Sequence, residues 1–238
     1  MSKNKKFQLI SIIVPGYNEE ENIDMIVPRL QKLELKTEII LVDDGSVDST
    51  YEKCLKQSKK YKNVKVVHYP ENRGKGYAIK QGIKNSEGDI VLQIDADAQF
   101  LPEEVPKLID PILKGNADVT FGSRFMEDSV VKEGSLSNRN RIANKADSWL
   151  TSIFAGNKFT DIQAGFKAFS RDAIDKIDFK EDKFGYEPEI GIIASKKNLR
   201  IVDVPITYAP REGGTSNIKI IQDSISIFSA IIKAWVSN

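Results

Sequence analysis

Residues 88–100, GDIVLQIDADAQF, decide the fold, because a β-branched run ends there directly in two aspartates. We predict a buried strand over residues 89–94, since a short apolar run bounded by turn residues is typical of the interior of a parallel sheet. Asp95 and Asp97 follow at once, and side chains two apart in an extended segment share a face. The stretch therefore predicts a strand that presents two carboxylates at its end.

The same unit recurs on both sides of this stretch, with short apolar runs alternating with amphipathic helical segments. We predict strands over residues 10–14, 38–42, 64–67 and 119–121, and helices over residues 20–33, 48–59 and 74–84 and from Pro102 onwards. This alternation predicts an α/β fold with a mostly parallel central sheet and helices on both faces.

The second half of the chain is less regular. Helices are predicted over residues 138–154, 188–196 and 217–236, the last of them amphipathic, and a strand over residues 165–169. A strand over residues 200–208 contains Pro205, which places it at a sheet edge or a bulge. Residues 127–137 are the best candidate for a mobile loop.

Acidic residues follow three of the predicted strands, at residues 15–19, 43–46 and 95–99. In an open parallel sheet, ligands bind beyond the carboxyl ends of the strands, so these clusters converge on one rim. Like charges in one cleft raise each other's pKa, and a divalent cation relieves that repulsion. Two carboxylates with phosphate oxygens suit Mg²⁺ or Mn²⁺, which would take up charge on a leaving diphosphate. A solvated turn is the plain alternative for an isolated Asp-x-Asp.

Composition excludes several other classes of protein. The 35 Lys and Arg against 34 Asp and Glu leave no basic footprint for nucleic acid. A single histidine, His68, excludes His-rich zinc sites, and a single cysteine, Cys54, fits a reducing compartment. Residues 74–79 lack the third small residue of a dinucleotide fingerprint, and no P-loop occurs. With no secretory signal or spanning stretch recognised, we expect a cytoplasmic location, with possible contact to the cytoplasmic face of a membrane.

Eight segments, in this order along the chain, resemble family 2 glycosyltransferases, and more narrowly the dolichyl-phosphate mannose and glucose synthases. The resemblance covers roughly residues 10 to 217. The segments are SIIVPGYNEEENI (11–23), ILVDDGSVDST (40–50), ENRGKGYAIKQGI (71–83), GDIVLQIDADAQF (88–100), ADVTFGSRF (117–125), DIQAGFKAFS (161–170), FGYEPEI (184–190) and VPITYAPREGGTSN (204–217).

The resemblance implies a GT-A fold and an inverting, metal-dependent transfer of a hexose from a nucleotide-sugar to a polyprenyl (dolichyl) phosphate. It implies one domain over residues 1–238, with a nucleotide-sugar-binding half (1–122), an acceptor-side half (123–217) and a terminal amphipathic helix (218–238). The donor remains open between UDP-glucose, UDP-N-acetylglucosamine and GDP-mannose, with a lean towards uridine.

The resemblance also implies roles for particular residues. Those expected to bind the nucleotide-sugar are Pro15, Tyr17, Glu19, Asp43, Asp44, Asp95, Ala96, Asp97, Gln99, Arg124 and Arg211. Those expected to hold the metal are Asp95, Asp97 and Gln99, and those expected in catalysis are Asp97, Arg124 and Arg139. The chain departs from the family at Asn217, where Lys is frequent and Lys219 could substitute, and at Gly16, where Thr or Ala is usual.

A phosphate acceptor already carries negative charge near neutral pH, so it needs no strong general base. Arg124 and Arg139 could orient it, surface ion pairing being the plain alternative. Glu187 and Glu189 are possible bases or structural residues. Trp149, Phe154 and the tail helix could contact lipid or simply pack.

Three other functions stay open. They are a family 2 enzyme acting on a sugar hydroxyl, a nucleotidyltransferase, and a non-catalytic binder of nucleotide-sugars. Release of pyrophosphate would identify the second, and metal-dependent turnover would exclude the third.

Overall fold

The computed structural model describes residues 9–213 and 220–236, with side chains in the last helix described from residue 226. The strands are β1 (Ile10–Gly16), β2 (Thr37–Asp44), β3 (Val64–Tyr69), β4 (Ile90–Gln93), β5 (Val119–Ser123), β6 (Val130–Val131), β7 (Lys167–Ser170), β8 (Ile201–Pro205) and β9 (Thr207–Tyr208). The helices are α1 (Glu20–Gln31), α2 (Thr50–Lys60), α3 (Lys75–Lys84), α4 (Val105–Leu113), α5 (Asn138–Ala155), α6 (Arg171–Ile174), α7 (Tyr186–Lys196) and α8 (Ile220–Val236). A single 3-10 turn, Pro102–Glu104, precedes α4.

Seven of the strands form one sheet in the order β3-β2-β1-β4-β7-β5-β8. All neighbours are parallel except β7, which runs antiparallel to both β4 and β5. Strands β1, β2, β4 and β5 therefore end at the same edge of the sheet. The predicted α/β fold with a mostly parallel sheet is confirmed.

The sheet is buried on both faces, which explains the continuous apolar runs of its strands. Successive side chains of a strand point to opposite faces. Ile12 accordingly packs in one core with Ile23 of α1, and Ile13 packs in the other with Ile79 of α3 and Ile193 of α7. The two cores clamp β1 and hold its carboxyl end in place.

The structure differs from the predicted elements in three places. The strand predicted over residues 200–208 is two strands, because Pro205 ends β8 and the chain then joins a separate sheet as β9. β8 is the edge strand of the large sheet, as the proline predicted. β9 pairs with β6, so the segment 127–137, predicted as a loop, contains a short strand. α6 was not predicted.

Helices α5, α7 and α8 form a separate layer with its own apolar cluster. Ile192 of α7 packs with Ile227 and Ile231 of α8, and Phe154 of α5 lies against them. Phe154 thus packs as the plainer reading expected, whereas Trp149 is exposed. Among the described residues, no helix is both long and apolar enough to cross a bilayer.

Replacing Gly82 with alanine tests the contact between α3 and β1. A Cβ at Gly82 would lie 2.3 Å from Cγ2 of the buried Ile13. Alanine normally favours a helix by about 1 kcal/mol over glycine, but overpacking a core costs roughly 1–3 kcal/mol. We therefore expect Gly82→Ala to lower the free energy of unfolding, measured by urea denaturation. Lys84→Ala, on the exposed side of the same helix, should change it little; a stabilised Gly82→Ala would contradict this packing.

Candidate active site

The loop after β1 is tied to the loop after β2. Pro15 is buried near the end of β1, and Tyr17 and Glu19 follow at the rim, both half-buried. Asn18 adopts the left-handed region at φ 56°, and its backbone N–H donates to Ser46 Oγ at 2.9 Å. The two predicted nucleotide-binding loops therefore form one rigid wall. Gly16 has room for a methyl group, since a Cβ there would meet neighbours only at 3.6 Å.

Asp43, at the end of β2, is fully buried and paired with the single histidine. Its Oδ2 lies 2.6 Å from His68 Nδ1, and the His68 ring stacks on Tyr51 at 4.0 Å between centroids. The Ser46 N–H also donates to Asp43 Oδ1 at 3.3 Å. The sequence analysis singled out Asp43 but gave His68 no role in the site.

Asp44 organises the loop that precedes α3. Its carboxylate accepts from the N–H of Arg73 at 2.8 Å, the N–H of Gly74 at 2.9 Å and the side-chain amide of Asn72 at 3.1 Å. Burial raises the pKa of Asp44 against the lowering effect of the bonds from the Arg73 and Gly74 N–H groups. Asp44 thus fixes the position of Lys75, the first residue of α3.

Lys75 connects the first metal-site aspartate to a buried ion-pair network. Its Nζ lies 2.7 Å from Asp95 Oδ1 and 3.6 Å from Glu187 Oε1. Glu187 also forms a hydrogen-bonded ion pair with Lys167, which is fully buried. Gly165 lies against Asp95 so closely that a Cβ there would meet its carboxylate oxygens within 2.5 Å. Asp95 is therefore held on two sides before any ligand binds.

Asp97 is the member of the pair whose pKa is raised. Burial first, and then the charge of Asp95, raise the pKa of Asp97 to about 7, while Arg211 acts in the other direction from 3.6 Å. Ala98 adopts the left-handed region at φ 58°, which allows the Gln99 N–H to donate back to Asp97 Oδ1 at 3.2 Å. Such backbone conformations are rare outside glycine and cluster at functional sites.

Asp95 and Asp97 fit a divalent cation that shares its ligands with a phosphate. Within the described ranges, no group of three His, Cys, Asp or Glu side chains is placed to hold a metal alone. Mg²⁺ is commonly bound by one or two carboxylates plus substrate phosphates. The raised pKa of Asp97 and the Asp95 Oδ1 atom, which has no hydrogen bond beyond its ion pair with Lys75, both favour added positive charge.

Gln99, expected to be a metal ligand, makes hydrogen bonds to β9 and to the segments that follow β9 and β6. Its side-chain amide donates to the Ala209 carbonyl at 3.1 Å and to the Ser135 carbonyl at 3.4 Å, and its Oε1 accepts from Tyr208 Oη at 2.8 Å. A metal bond at Gln99 would need the remaining lone pair of Oε1. Ala96, between the two aspartates, is buried.

Arg124, expected to contact phosphate, lies in a buried bidentate ion pair with Asp161. Its Nε and Nη2 donate to Asp161 at 2.6 and 2.8 Å, and its backbone N–H donates at 3.0 Å. Burial alone would lower the pKa of Arg124, but Asp161 raises it above the ordinary value. The guanidinium lies 5.0 Å from the Tyr208 ring, so it also supports the segment that carries Arg211.

Arg211 and Arg139 have contrasting environments. Arg211 forms an ion pair with Glu19, donates from Nε to the Gly213 carbonyl at 2.7 Å and faces Asp97. It therefore joins the first and third acidic clusters. Arg139 is exposed in the first turn of α5, and the structure does not bring it into the ion-pair network. Asn217 and Lys219 lie outside the described residues.

The two glutamates of the FGYEPEI segment differ in role. Glu189 accepts from the N–H groups of Lys180 and Glu181 at 2.9 and 2.8 Å, which is a structural task. Glu187 lies between two lysines at the back of the site. The sequence analysis assigned no role to Lys75 or Asp161, although both lie within segments that carry the family resemblance.

The family model described as Glycosyl transferase family 2 matches residues 11–178. The chain belongs to glycosyl transferase family 2. It is 34% identical to the UDP-N-acetylglucosamine–dolichyl-phosphate N-acetylglucosaminyltransferase of Methanococcus voltae, over 84% of this chain and 85% of that protein. It is 33% identical to the dolichol-phosphate mannosyltransferase of Pyrococcus furiosus, over 88% of this chain and 59% of that protein.

The fold of this family 2 glycosyltransferase matches solved GT-A structures. Glucosyl-3-phosphoglycerate synthase from Mycobacterium tuberculosis, solved with Mn²⁺, UDP-glucose and phosphoglyceric acid, superposes with a TM-score of 0.75. The two chains are 20% identical, and the match covers 98% of this chain and 81% of the other. The expected GT-A fold is confirmed.

Asp97→Asn should stabilise the protein at pH 8, where the buried carboxylate is charged. The folded-state pKa of about 7 exceeds the ordinary value of 3.8, so the folded state retains a proton that the unfolded state has lost. The wild type should thus lose stability as the pH rises from about 4 to 7, whereas the neutral amide should not. We expect Asp97→Asn to be more stable by about 2 kcal/mol at pH 8, with a difference that shrinks towards pH 4.

The measurement is urea unfolding across this pH range without divalent ions. Asp110→Asn, an exposed carboxylate paired with Lys114, is the matched control and should show no such gain. Adding Mn²⁺ should stabilise the wild type more than Asp97→Asn. If Asp97→Asn is less stable than the wild type at pH 8, the pKa of Asp97 is not raised in the folded state.

Breaking the Arg124–Asp161 pair should destabilise the fold. Asp161→Asn leaves the guanidinium buried without its counter-charge, which typically costs about 3–5 kcal/mol. Replacing both residues by leucine should recover part of that loss, because no charge is then left buried. Equilibrium unfolding of the wild type, Asp161→Asn and the double leucine variant measures the loss and its recovery; unchanged stability in Asp161→Asn would contradict the buried ion pair.

Proposed function

We propose that this glycosyltransferase transfers a hexose, with inversion, from a nucleotide-sugar to a polyprenyl phosphate, using Mn²⁺ or Mg²⁺ held by Asp95 and Asp97. The observation that carries this proposal is the aspartate pair at the end of β4, with the pKa of Asp97 raised to about 7. A divalent cation held by Asp95 and Asp97 would stabilise the charged form of both carboxylates.

The donor would bind across the ends of β1, β2 and β4. Pro15, Tyr17, Glu19, Asp43 and Asp44 would line the base and ribose pocket in the half formed by residues 1–122. The bound cation would stabilise the charge that develops on the departing nucleoside diphosphate. Arg211, which already faces Asp97, would add a second positive charge on the same side of the leaving group.

A phosphate acceptor suits the bases that the site offers. Glu187 is occupied by ion pairs with Lys167 and Lys75. Asp97 has a pKa near neutrality, but a bound cation would lower that pKa and remove its capacity as a base. A phosphate oxygen attacks the anomeric carbon without a base, whereas a sugar hydroxyl would need one.

The named relatives support the same acceptor class, since both bear dolichyl or dolichol phosphate in their names. They differ in the sugar, which is N-acetylglucosamine in one and mannose in the other. We therefore take the donor to be a hexose linked to either UDP or GDP. Residues 123–217 would then form the acceptor side, with Arg124 supporting the pocket wall and Arg139 placed at the exposed entrance. Transfer to a sugar hydroxyl is the second candidate.

A transfer assay with a short polyprenyl phosphate and Mn²⁺ tests the proposal. Labelled UDP-glucose, UDP-N-acetylglucosamine and GDP-mannose are supplied in turn, and label is followed into the organic phase. We expect transfer from one donor, reduced at least about a hundredfold in Asp97→Asn, because the cation would lose a carboxylate ligand. Chelation of the metal should abolish transfer in the same way.

Asp110→Asn is the control for this assay, since it removes an exposed carboxylate far from the strand ends. Organic-phase label that persists in Asp97→Asn would remove Asp97 from the metal site. Absence of label with every donor, alongside metal-dependent hydrolysis of one of them, would point to a hydroxyl acceptor.

A further inference from the structure

The outward face of α5 carries large apolar side chains. Ile142, Trp149 and Ile153 are 71%, 66% and 56% exposed. Residues spaced by seven and four share one face of a helix, so these three form a continuous stripe. The opposite face, at Ser148 and Thr151, is buried. Helix α5 therefore turns an apolar stripe away from the protein.

Helix α8 packs beside α5 and exposes apolar side chains of its own. Its Phe228, Trp235 and Val236 are exposed, and the Trp235 ring meets Phe154 of α5 edge-on, 5.5 Å between centroids. We call these exposed side chains of the two helices, Ile142, Trp149, Ile153, Phe228, Trp235 and Val236, the α5–α8 surface. Both tryptophans of the chain belong to it. Six large apolar side chains exposed on two neighbouring helices mark an interaction surface.

The charged side chains exposed on α5 are basic, while Lys233 of α8 is paired with Glu181. The exposed charged residues of α5 are Arg139 and Lys145, and Lys158 follows the helix. The acidic residue of the helix, Asp147, is turned inward, where its carboxylate accepts from Gln163 at 3.3 Å and burial raises its pKa to about 6. Apolar and aromatic side chains flanked by Lys and Arg are typical of helices that lie in an anionic membrane interface. A second copy of this chain would bring the same positive charges against each other.

We infer that the α5–α8 surface docks the enzyme on an anionic membrane, with both tryptophans at the level of the lipid headgroups. The surface begins beside the candidate active site, since the Ser135 carbonyl accepts from Gln99 and α5 starts at Asn138. This places the entrance for a lipid-linked acceptor at the bilayer. That last step depends on the proposed function, but membrane docking itself does not.

The two tryptophans provide a direct readout, because all tryptophan emission of the protein comes from the α5–α8 surface. The full chain is mixed with vesicles of phosphatidylcholine alone or with added phosphatidylglycerol, without donor or acceptor. Docking should shift the emission to shorter wavelength on the anionic vesicles, and lipids brominated in their acyl chains should quench it. Failure of sugar transfer would leave this result standing, and the reverse also holds.

Matched variants measure the contribution of each feature by vesicle sedimentation. Replacing Ile142, Trp149 and Ile153 together by serine should weaken partitioning about tenfold or more. The variant lacks three apolar side chains whose transfer from water into the membrane favours binding. Leu113→Ser, which removes an exposed leucine from α4, should leave it unchanged. Lys145→Glu should weaken binding to anionic vesicles by about tenfold, and Lys59→Glu on α2 should not.

Two outcomes would overturn the inference. One is equal partitioning of the wild type and the triple serine variant with no quenching by brominated lipid. The other is a concentration-dependent dimer in sedimentation equilibrium that the triple variant abolishes, since a second copy would then cover the surface. Identical circular dichroism melting of all variants shows that a loss of binding is not a loss of folding.

Discussion

The repulsion between Asp95 and Asp97 is the constraint around which the site is built. Two carboxylates at the end of one buried strand cannot both be charged cheaply in a low-dielectric cleft. The chain answers with a cation on each side, Lys75 next to Asp95 and Arg211 next to Asp97. The two cations do not fully compensate the carboxylates, because the pKa of Asp97 is still raised. A metal ion would supply the missing positive charge.

The supporting cations are themselves fixed by distant segments. Lys75 is placed by backbone N–H groups of its loop that bind Asp44, while Arg211 is placed by its ion pair with Glu19. Gln99 and Tyr208 join the metal loop to the segment that carries Arg211. Residues that look like separate binding motifs thus bind one another first, so the site is preorganised before the donor arrives.

The elements of the parallel half could be predicted because their signals are local. Buried strands are short apolar runs, and apolar residues in helices recur every three to four positions. The antiparallel direction of β7 has no such signal, since a four-residue strand looks the same in either direction. The convergence of Asp43, Asp44, Asp95 and Asp97 followed from strand ends alone. The partner of Arg124 did not, because Asp161 lies 37 residues away and nothing local marks it. Likewise, an isolated glutamine in a metal motif gives no sign that its amide is used by Tyr208.

Amphipathic helices pose a related difficulty, because periodicity shows that a helix has an apolar face but not which way that face points. For α8 the pattern leaves packing and lipid contact both open; Ile227 and Ile231 pack, whereas Phe228 and Trp235 are exposed. In α5 the tryptophan is exposed while Phe154, five residues on, is covered by α8. A lipid phosphate has a charged head and a long apolar chain, and an enzyme that uses one must offer a polar cleft and an apolar surface side by side. Here Ser135, whose carbonyl accepts from Gln99, lies three residues before Asn138, the first residue of α5, so the cleft and the apolar surface proposed for a lipid phosphate adjoin each other.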